Sequence, residues 1–264
     1  MLCDVPAGDA VTIAYTELYA GRDERRGALR AKKAFECECS RCNRPPLSDA
    51  QLDGWKCAVA GCTAGAVAPD ATSCGVCATA HALKPSARAA IEGRWREAVD
   101  SGTNALLNRT DPSPEATYKA SLTALATVEQ MLSASASRLC AEHMLRHKAH
   151  RLRVYALNLL PDASGTAPQL VAALQVCVDG MAAHLPPAHP ELAFYRHWLA
   201  KALVKQAAGG SDDKKAKAAL RKRAKVVGEQ SVAGLEIAYG ADHPTVAKWR
   251  EGGDEGWVVG GSSS

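Results

Sequence analysis

The chain has 264 residues, 47% of them hydrophobic and 23% charged, with a net charge of +4. That balance fits a folded globular protein and is too weakly basic to argue for nucleic acid. No apolar run reaches the length of a membrane span and no basic-then-apolar leader opens the sequence, so we expect an intracellular protein of the nucleus and/or cytoplasm, without membrane association.

The first residues, Leu2 to Tyr15, predict an extended segment. Val11, Ile13 and Tyr15 alternate with Thr12 and Ala14 at period two, after a turn at Pro6-Ala7-Gly8-Asp9. A lone strand must pair with something, and no partner is visible nearby. A short basic helix is expected over about Asp23 to Ala34.

Seven of the ten cysteines follow, between Cys37 and Cys77. In an intracellular setting such clusters point to metal rather than disulfides. They form two groups. Cys57-x4-Cys62-x11-Cys74-x2-Cys77 supplies four thiols in two knuckle-like pairs, enough to close a tetrahedral zinc site. With every position taken by protein, its role is structural; His81 is a lower-ranked substitute for Cys74 or Cys77. Phe35-x-Cys37-x-Cys39-x2-Cys42 supplies only three, so it needs a ligand from elsewhere. Cys3 is the nearest unassigned thiol, with no spacing rule to tie it in, and Cys140 and Cys177 lie on helical stripes and read as buried small hydrophobes.

From Pro85 onward the pattern is helical. The first helix carries a stripe at Ile91, Trp95, Ala98 and Val99; the second, after Asp111-Pro112-Ser113-Pro114, carries Tyr118, Leu122, Leu125, Val128 and Leu132. Further helices are expected over about Ser137–Leu160, Pro168–His184, Pro190–Ala208 and Asp212–Tyr239, with Gly209-Gly210-Ser211 as a linker. His189-Pro190 and His243-Pro244 both read as helix starts, with Pro at the first helical position. His143, His147 and His150 share one helix face, but Arg146, Lys148, Arg151 and Arg153 between them predict a solvated basic face rather than a metal site. The densest basic run, Lys214 to Lys225, also reads as an exposed face, and nucleic acid is not expected as a direct ligand. The tail from Gly252 has the composition of a disordered segment. No Ser/His/Asp set or phosphate-cradling loop supports a hydrolase or nucleotide-binding protein.

One set of residues resembles a known family. Gly8-Asp9-Ala10-Val11-Thr12-Ile13-Ala14-Tyr15, the basic helix with Arg25, Arg26, Leu29 and Arg30, and Phe35-x-Cys37-x-Cys39-x2-Cys42 look like the end of a SET domain and its post-SET segment. The helical remainder with its His-Pro turns resembles the C-terminal domain of the SMYD family of SET and MYND domain lysine methyltransferases. Trp95-Arg96-Glu97-Ala98-Val99 resembles the opening of a tetratricopeptide (TPR) helix, without the ~34-residue period of that repeat.

The resemblance implies roles for individual residues. Tyr15 matches the catalytic tyrosine that orients the substrate lysine amine, and Phe35 the aromatic residue that stacks on the adenine of S-adenosylmethionine. Cys37, Cys39 and Cys42 match post-SET zinc ligands, whose fourth partner in the family lies in an upstream Asn-His-Ser-Cys stretch. This chain lacks that stretch, the Gly-rich cofactor segment and the MYND finger, and has Gly8-Asp9-Ala10 where the family has Gly-Glu-Glu. Met1 therefore reads as the start of a truncated product.

The implied fold is mainly α: a short β remnant of a SET domain, a Cys-rich zinc-binding segment, then an antiparallel TPR-like helical superhelix or bundle. The expected divisions are 1–34 (end of SET), 35–45 (post-SET), 46–82 (second zinc segment), 83–250 (helical domain) and 251–264 (tail). The implied activity is S-adenosylmethionine-dependent methylation of a lysine in a histone or other protein, with the chain inactive alone. The alternative is a zinc-stabilised TPR-like module that binds a protein segment and catalyses nothing.

Overall fold

A computed structural model describes residues 13–43, 47–63, 66–69, 71–80, 84–107, 113–133, 138–161, 165–209 and 213–250, together with Ala7 and Asp111. They form two compact units, divided within one helix at residues 156 and 157.

Among the described residues the architecture is mainly helical. The helices are α1 (Arg22–Lys33), α2 (Ser40–Asn43), α3 (Leu47–Asp53), α4 (Pro85–Leu107), α5 (Pro114–Ser133), α6 (Met144–Asn158), α7 (Ala167–His184), α8 (Pro190–Gly209), α9 (Lys214–Tyr239) and α10 (Pro244–Arg250). None is long and apolar enough to cross a membrane. Among the described residues extended pairing is confined to isolated bridges, Trp55 with both Val67 and Leu139, and Ser73 with Ala80.

The expected strand ending at Tyr15 is corrected where it can be seen. Ile13, Ala14 and Tyr15 carry no regular structure and are exposed, while most of the stretch from Leu2 to Thr12 lies outside the described residues. Among the described residues no sheet is present for Ile13 to Tyr15 to join, and their backbone groups are left to solvent. The predicted tail and His81 also fall outside the described residues.

In the first unit, α4 and α5 pack as a helical pair. Trp95 and Val99 are buried as the stripe predicts, but on α5 the buried face is Ser121, Ala124 and Val128, and Tyr118 and Leu122 are exposed. The seam thus uses small side chains that let helices approach closely, turning α5 away from its larger apolar residues. The helix expected from Ser137 starts later, at Met144, because Leu139 and Cys140 are used elsewhere. Cys140 N donates to Gly54 O at 3.2 Å, and Lys56 N to Arg138 O at 2.7 Å.

The face expected to be solvated is also corrected. His143 and His147 are buried, and the Tyr19 ring lies 4.0 Å from His147. Three of the cations on this helix pair across elements, Lys148 with Glu24, Arg151 with Glu17 and Arg153 with Glu129. Burial holds the His143 imidazole neutral, down to about 3, with Arg96 adding to the effect.

In the second unit α7, α8 and α9 form successive hairpins, and α10 folds back onto α9. Their shared core is built from Ala193 and Ala200 of α8, Val232 and Leu235 of α9, and Val246 and Trp249 of α10. Ser231 Oγ donates to Ala193 O at 2.6 Å, and a Cβ on Gly234 would lie 3.4 Å from that of Ala193. Small side chains set this spacing, as the alanine-rich composition implies. His197 stacks flat on Trp249 at 3.7 Å.

Histidine caps recur. His143, His189 and His243 stand just before α6, α8 and α10, and each accepts at Nδ1 from the N–H two residues on, at 3.1, 3.3 and 3.2 Å. The first turn of a helix has free N–H donors, and a neutral imidazole nitrogen satisfies one of them. The two His-Pro turns therefore work as caps, and His143-Met144 does the same without a proline.

Candidate metal centre

The sequence before Cys57 anchors its cluster. Trp55, fully buried, exchanges both backbone hydrogen bonds with Val67, at 2.9 and 2.8 Å, so the chain between them closes as a loop. Gly54 is required here, because a side chain would run into the Ala50 carbonyl and come within 2.9 Å of Ala66 Cβ. Arg88 lies over the Trp55 ring at 5.9 Å, which fixes the loop against α4. The second knuckle is stapled by Cys74 N to Thr79 O and Ala78 N to Cys74 O, both at 2.9 Å.

These constraints bring Cys57, Cys62, Cys74 and Cys77 together, with all four sulfurs within 4.8 Å of one another. Cys57 Sγ lies 3.5 Å from Cys77 Sγ, and Cys62 Sγ lies 3.7 Å from Cys74 Sγ. A disulfide would need about 2.05 Å. Four sulfurs about 2.3 Å from one tetrahedral ion stand about 3.8 Å apart, close to the 3.5 and 3.7 Å of the Cys57–Cys77 and Cys62–Cys74 pairs. The cluster could hold a metal ion such as zinc.

The polar surroundings favour thiolates unevenly. The Thr79 hydroxyl and N–H beside Cys77 pull that thiol down to about 6. The N–H groups of Cys77 and Val76 lower Cys74. Val59 N–H donates to Cys57 Sγ at 3.4 Å, but burial and the three neighbouring thiols override it and push Cys57 up to about 12. Four like charges cannot share so small a volume unaided, whereas a divalent cation removes that repulsion and deprotonates its ligands.

The second cluster is Cys37, Cys39 and Cys42, also with its sulfurs within 4.8 Å. No fourth Cys, His, Asp or Glu joins it among the described residues. Cys42 is buried, Cys37 half-buried and Cys39 exposed. Burial, with Cys39 and Cys37 alongside, raises Cys42 against the pull of Arg25. For Cys39 burial is outweighed by its contact with Cys37 and by the N–H groups of Cys42 and Arg41, so its thiol is lowered. Three sulfurs leave one tetrahedral position for a further ligand.

Residues that local spacing could not reveal hold this cluster. Asp49 is buried between two arginines: Arg25 Nη2 donates to Oδ2 at 2.6 Å, and Arg41 donates to Oδ1 from Nε at 2.9 Å and Nη2 at 2.8 Å. Arg25 also donates to Ala20 O at 2.5 Å and Arg41 to Leu18 O at 3.0 Å. Arg41 lies inside the cysteine loop, so the network ties that loop to α1, to α3 and to the segment after Tyr15. Glu36 adds ion pairs to Arg26 and Arg30, both at 3.0 Å.

Tyr15 and Phe35 meet beside this cluster. Their rings stand edge to face with centroids 6.2 Å apart, and Lys33 Nζ lies 6.0 Å from the Tyr15 ring. Both are open to solvent, Tyr15 at 57% and Phe35 at 40%. The structure thus makes two groupings of these residues, the Tyr15–Phe35 ring pair and the Cys37, Cys39 and Cys42 cluster. Cys57, Cys62, Cys74 and Cys77 form a separate centre. Cys140 and Cys177 are buried as expected, and Cys140 Sγ donates to Gln51 O at 2.7 Å.

No protein-family model matches the chain, and a search of curated proteins returns no match.

Proposed function

We propose that this chain is the C-terminal part of a SMYD-like protein-lysine methyltransferase, carrying the tyrosine and the adenine-facing phenylalanine of its active site. The observation that carries the reading is the exposed Tyr15–Phe35 edge contact two residues from a three-thiol cluster. Exposed aromatic rings held edge to face cost solvation and gain little for the fold, so their placement makes sense as the wall of a site. Three thiols with an open position fit a zinc completed by a ligand from another segment.

S-adenosylmethionine, when bound, supplies a methyl group on a sulfonium. Phe35 would lie against its adenine, burying one ring face. The Tyr15 hydroxyl would accept from the substrate amine and aim its lone pair at the methyl carbon, since alignment carries much of the rate in such a transfer. The two rings, both open to solvent, would form one wall of the cofactor site. Substrate would be a lysine in a histone or other protein, and the TPR-like α4–α5 pair of the same unit would wall the cleft.

The test is the transcript upstream of Met1. An in-frame Asn-His-Ser-Cys stretch is expected, and the longer protein should methylate lysine with a rate that Tyr15→Phe cuts by about 100-fold. The 264-residue chain should show no tight S-adenosylmethionine binding by isothermal titration. Unrelated upstream sequence would defeat this reading. The second reading, a zinc-stabilised helical interaction module, would then stand, since the four-thiol centre is complete without any other segment.

A further inference from the structure

Cys39 and Cys42 stand on either side of one tight turn. The N–H groups of Cys42 and Asn43 both donate to the Cys39 carbonyl at 2.9 Å, so α2 begins directly after Cys39. A turn closed in this way holds its first and fourth Cα atoms within about 7 Å. Disulfides join cysteines whose Cα atoms lie about 4.4–6.8 Å apart. The two sulfurs are already within 4.8 Å of each other. Closing them to a bond of about 2.05 Å therefore asks for side-chain rotation and little movement of the chain.

The turn is braced from its middle. Arg41, between the two cysteines, donates to Asp49 Oδ1 at 2.9 and 2.8 Å and to Leu18 O at 3.0 Å. Among the described residues no backbone hydrogen bond closes a turn between Cys37 and either of the other two. Cys74 and Cys77 share the same spacing, but each lies against the other knuckle, Cys74 3.7 Å from Cys62 and Cys77 3.5 Å from Cys57. An ion at that centre would engage all four.

Exposure separates the two sulfurs. Cys39 is open to solvent, whereas Cys42 is 2% exposed. A dissolved disulfide can reach the first and not the second, and access decides which sulfur exchanges.

We infer that Cys39 and Cys42 form a reversible disulfide, a redox site whose partner is a low-molecular-weight disulfide such as oxidised glutathione. Cys39, as thiolate, attacks one sulfur of the small disulfide. The new S–S bond forms as the old one breaks, and the departing thiolate takes up the proton that Cys39 gave. Cys42 then attacks the Cys39 sulfur, closes the intramolecular bond and expels a second small thiol, which takes the Cys42 proton. The protein dithiol loses two electrons and the small disulfide gains them. Once bonded, neither sulfur is a thiolate ligand, and only Cys37 of this cluster is left to hold a metal. The pair thus sets whether the cluster is open to an ion. This inference does not rest on the methyltransferase reading.

The experiment takes the full chain, dialysed against a weak chelator, through a series of oxidised-to-reduced glutathione ratios. Samples are acid-quenched, alkylated with iodoacetamide and mapped by mass spectrometry. Trypsin cuts after Arg41, so the expected link joins the peptide ending there to the one beginning at Cys42. The oxidised chain should carry two fewer alkylated thiols among its ten cysteines, and excess reduced glutathione should restore them. Cys37→Ser should keep the link and Cys39→Ser should abolish it. Cys42→Ser should trap glutathione on Cys39 as a mixed disulfide, which marks Cys39 as the attacking sulfur. The circular dichroism spectrum should not change on oxidation. The proposal is overturned if no Cys39–Cys42 link forms at any ratio, or if Cys3 or Cys37 replaces either partner. It is equally overturned if Cys74 and Cys77 link at a lower ratio, or if Cys42→Ser gains no glutathione.

Discussion

The two thiol clusters of this chain are built by opposite means. The Cys57–Cys77 cluster is complete in sulfur and light in support: four thiols at tetrahedral spacing, held by loop hydrogen bonds and by Trp55 pinned to Val67 and Leu139. The Cys37–Cys42 cluster is one sulfur short but rests on a buried Arg25–Asp49–Arg41 network. The difference teaches where a metal is the scaffold and where it is a guest. The first loop has little besides a metal to hold its thiols; the second keeps its shape through charge pairs that need no ion.

The largest effect should come from the first cluster. Cys74→Ser, or a strong chelator, should release its metal, make Cys57, Cys62 and Cys77 reactive to iodoacetamide, and leave far-ultraviolet helicity nearly intact. Structural zinc sites contribute about 10 kcal/mol or more to their local fold in isolated peptides. Cys39→Ser should leave that metal in place; if both variants lose it alike, the distinction between the clusters is wrong.

The next effect should come from Asp49. Asp49→Ala strands two arginines, one of them buried, and should cost about 3–5 kcal/mol in urea unfolding. Cys37 and Cys39 should become more reactive while Cys57 and Cys77 do not. Equal exposure of both sets would mean that the clusters form one unit.

A smaller effect should follow from pH. Burial holds His143 down to about 3, and His150 and His197 to about 4, with neighbouring cations adding to it. As pH falls below about 6.5 the unfolded chain gains protons that these folded imidazoles refuse, so stability is full above that pH and declines toward pH 4. Each histidine contributes about 1.4 kcal/mol per pH unit at most. Urea midpoints at pH 7.5 and 5.5 check the sign, and a higher midpoint at pH 5.5 would contradict the burial of this helical core. The smallest effect belongs to Phe35→Ala, expected to change stability by under about 0.5 kcal/mol because the ring is exposed.

Much of this was legible in the sequence where the signals are local. Prolines at 85, 114, 190 and 244 all stand at helix starts, and paired cysteine spacing alone located both clusters. What escaped was tertiary. The α5 seam runs through Ser121 and Ala124, which no hydrophobic stripe would favour. His143 and His147 are interleaved with cations, and only the pairing of those cations to distant acids lets the histidines go inward. Asp49 carries no signal in the sequence, since its partners Arg25 and Arg41 are joined to it by folding rather than by spacing.

Metal content of the purified full chain tests the central claim most directly. After dialysis against a weak chelator, inductively coupled plasma measurement should find about one zinc per chain, lost in Cys74→Ser and kept in Cys39→Ser. No zinc, or two held equally tightly, would contradict a closed four-thiol centre beside an incomplete three-thiol one.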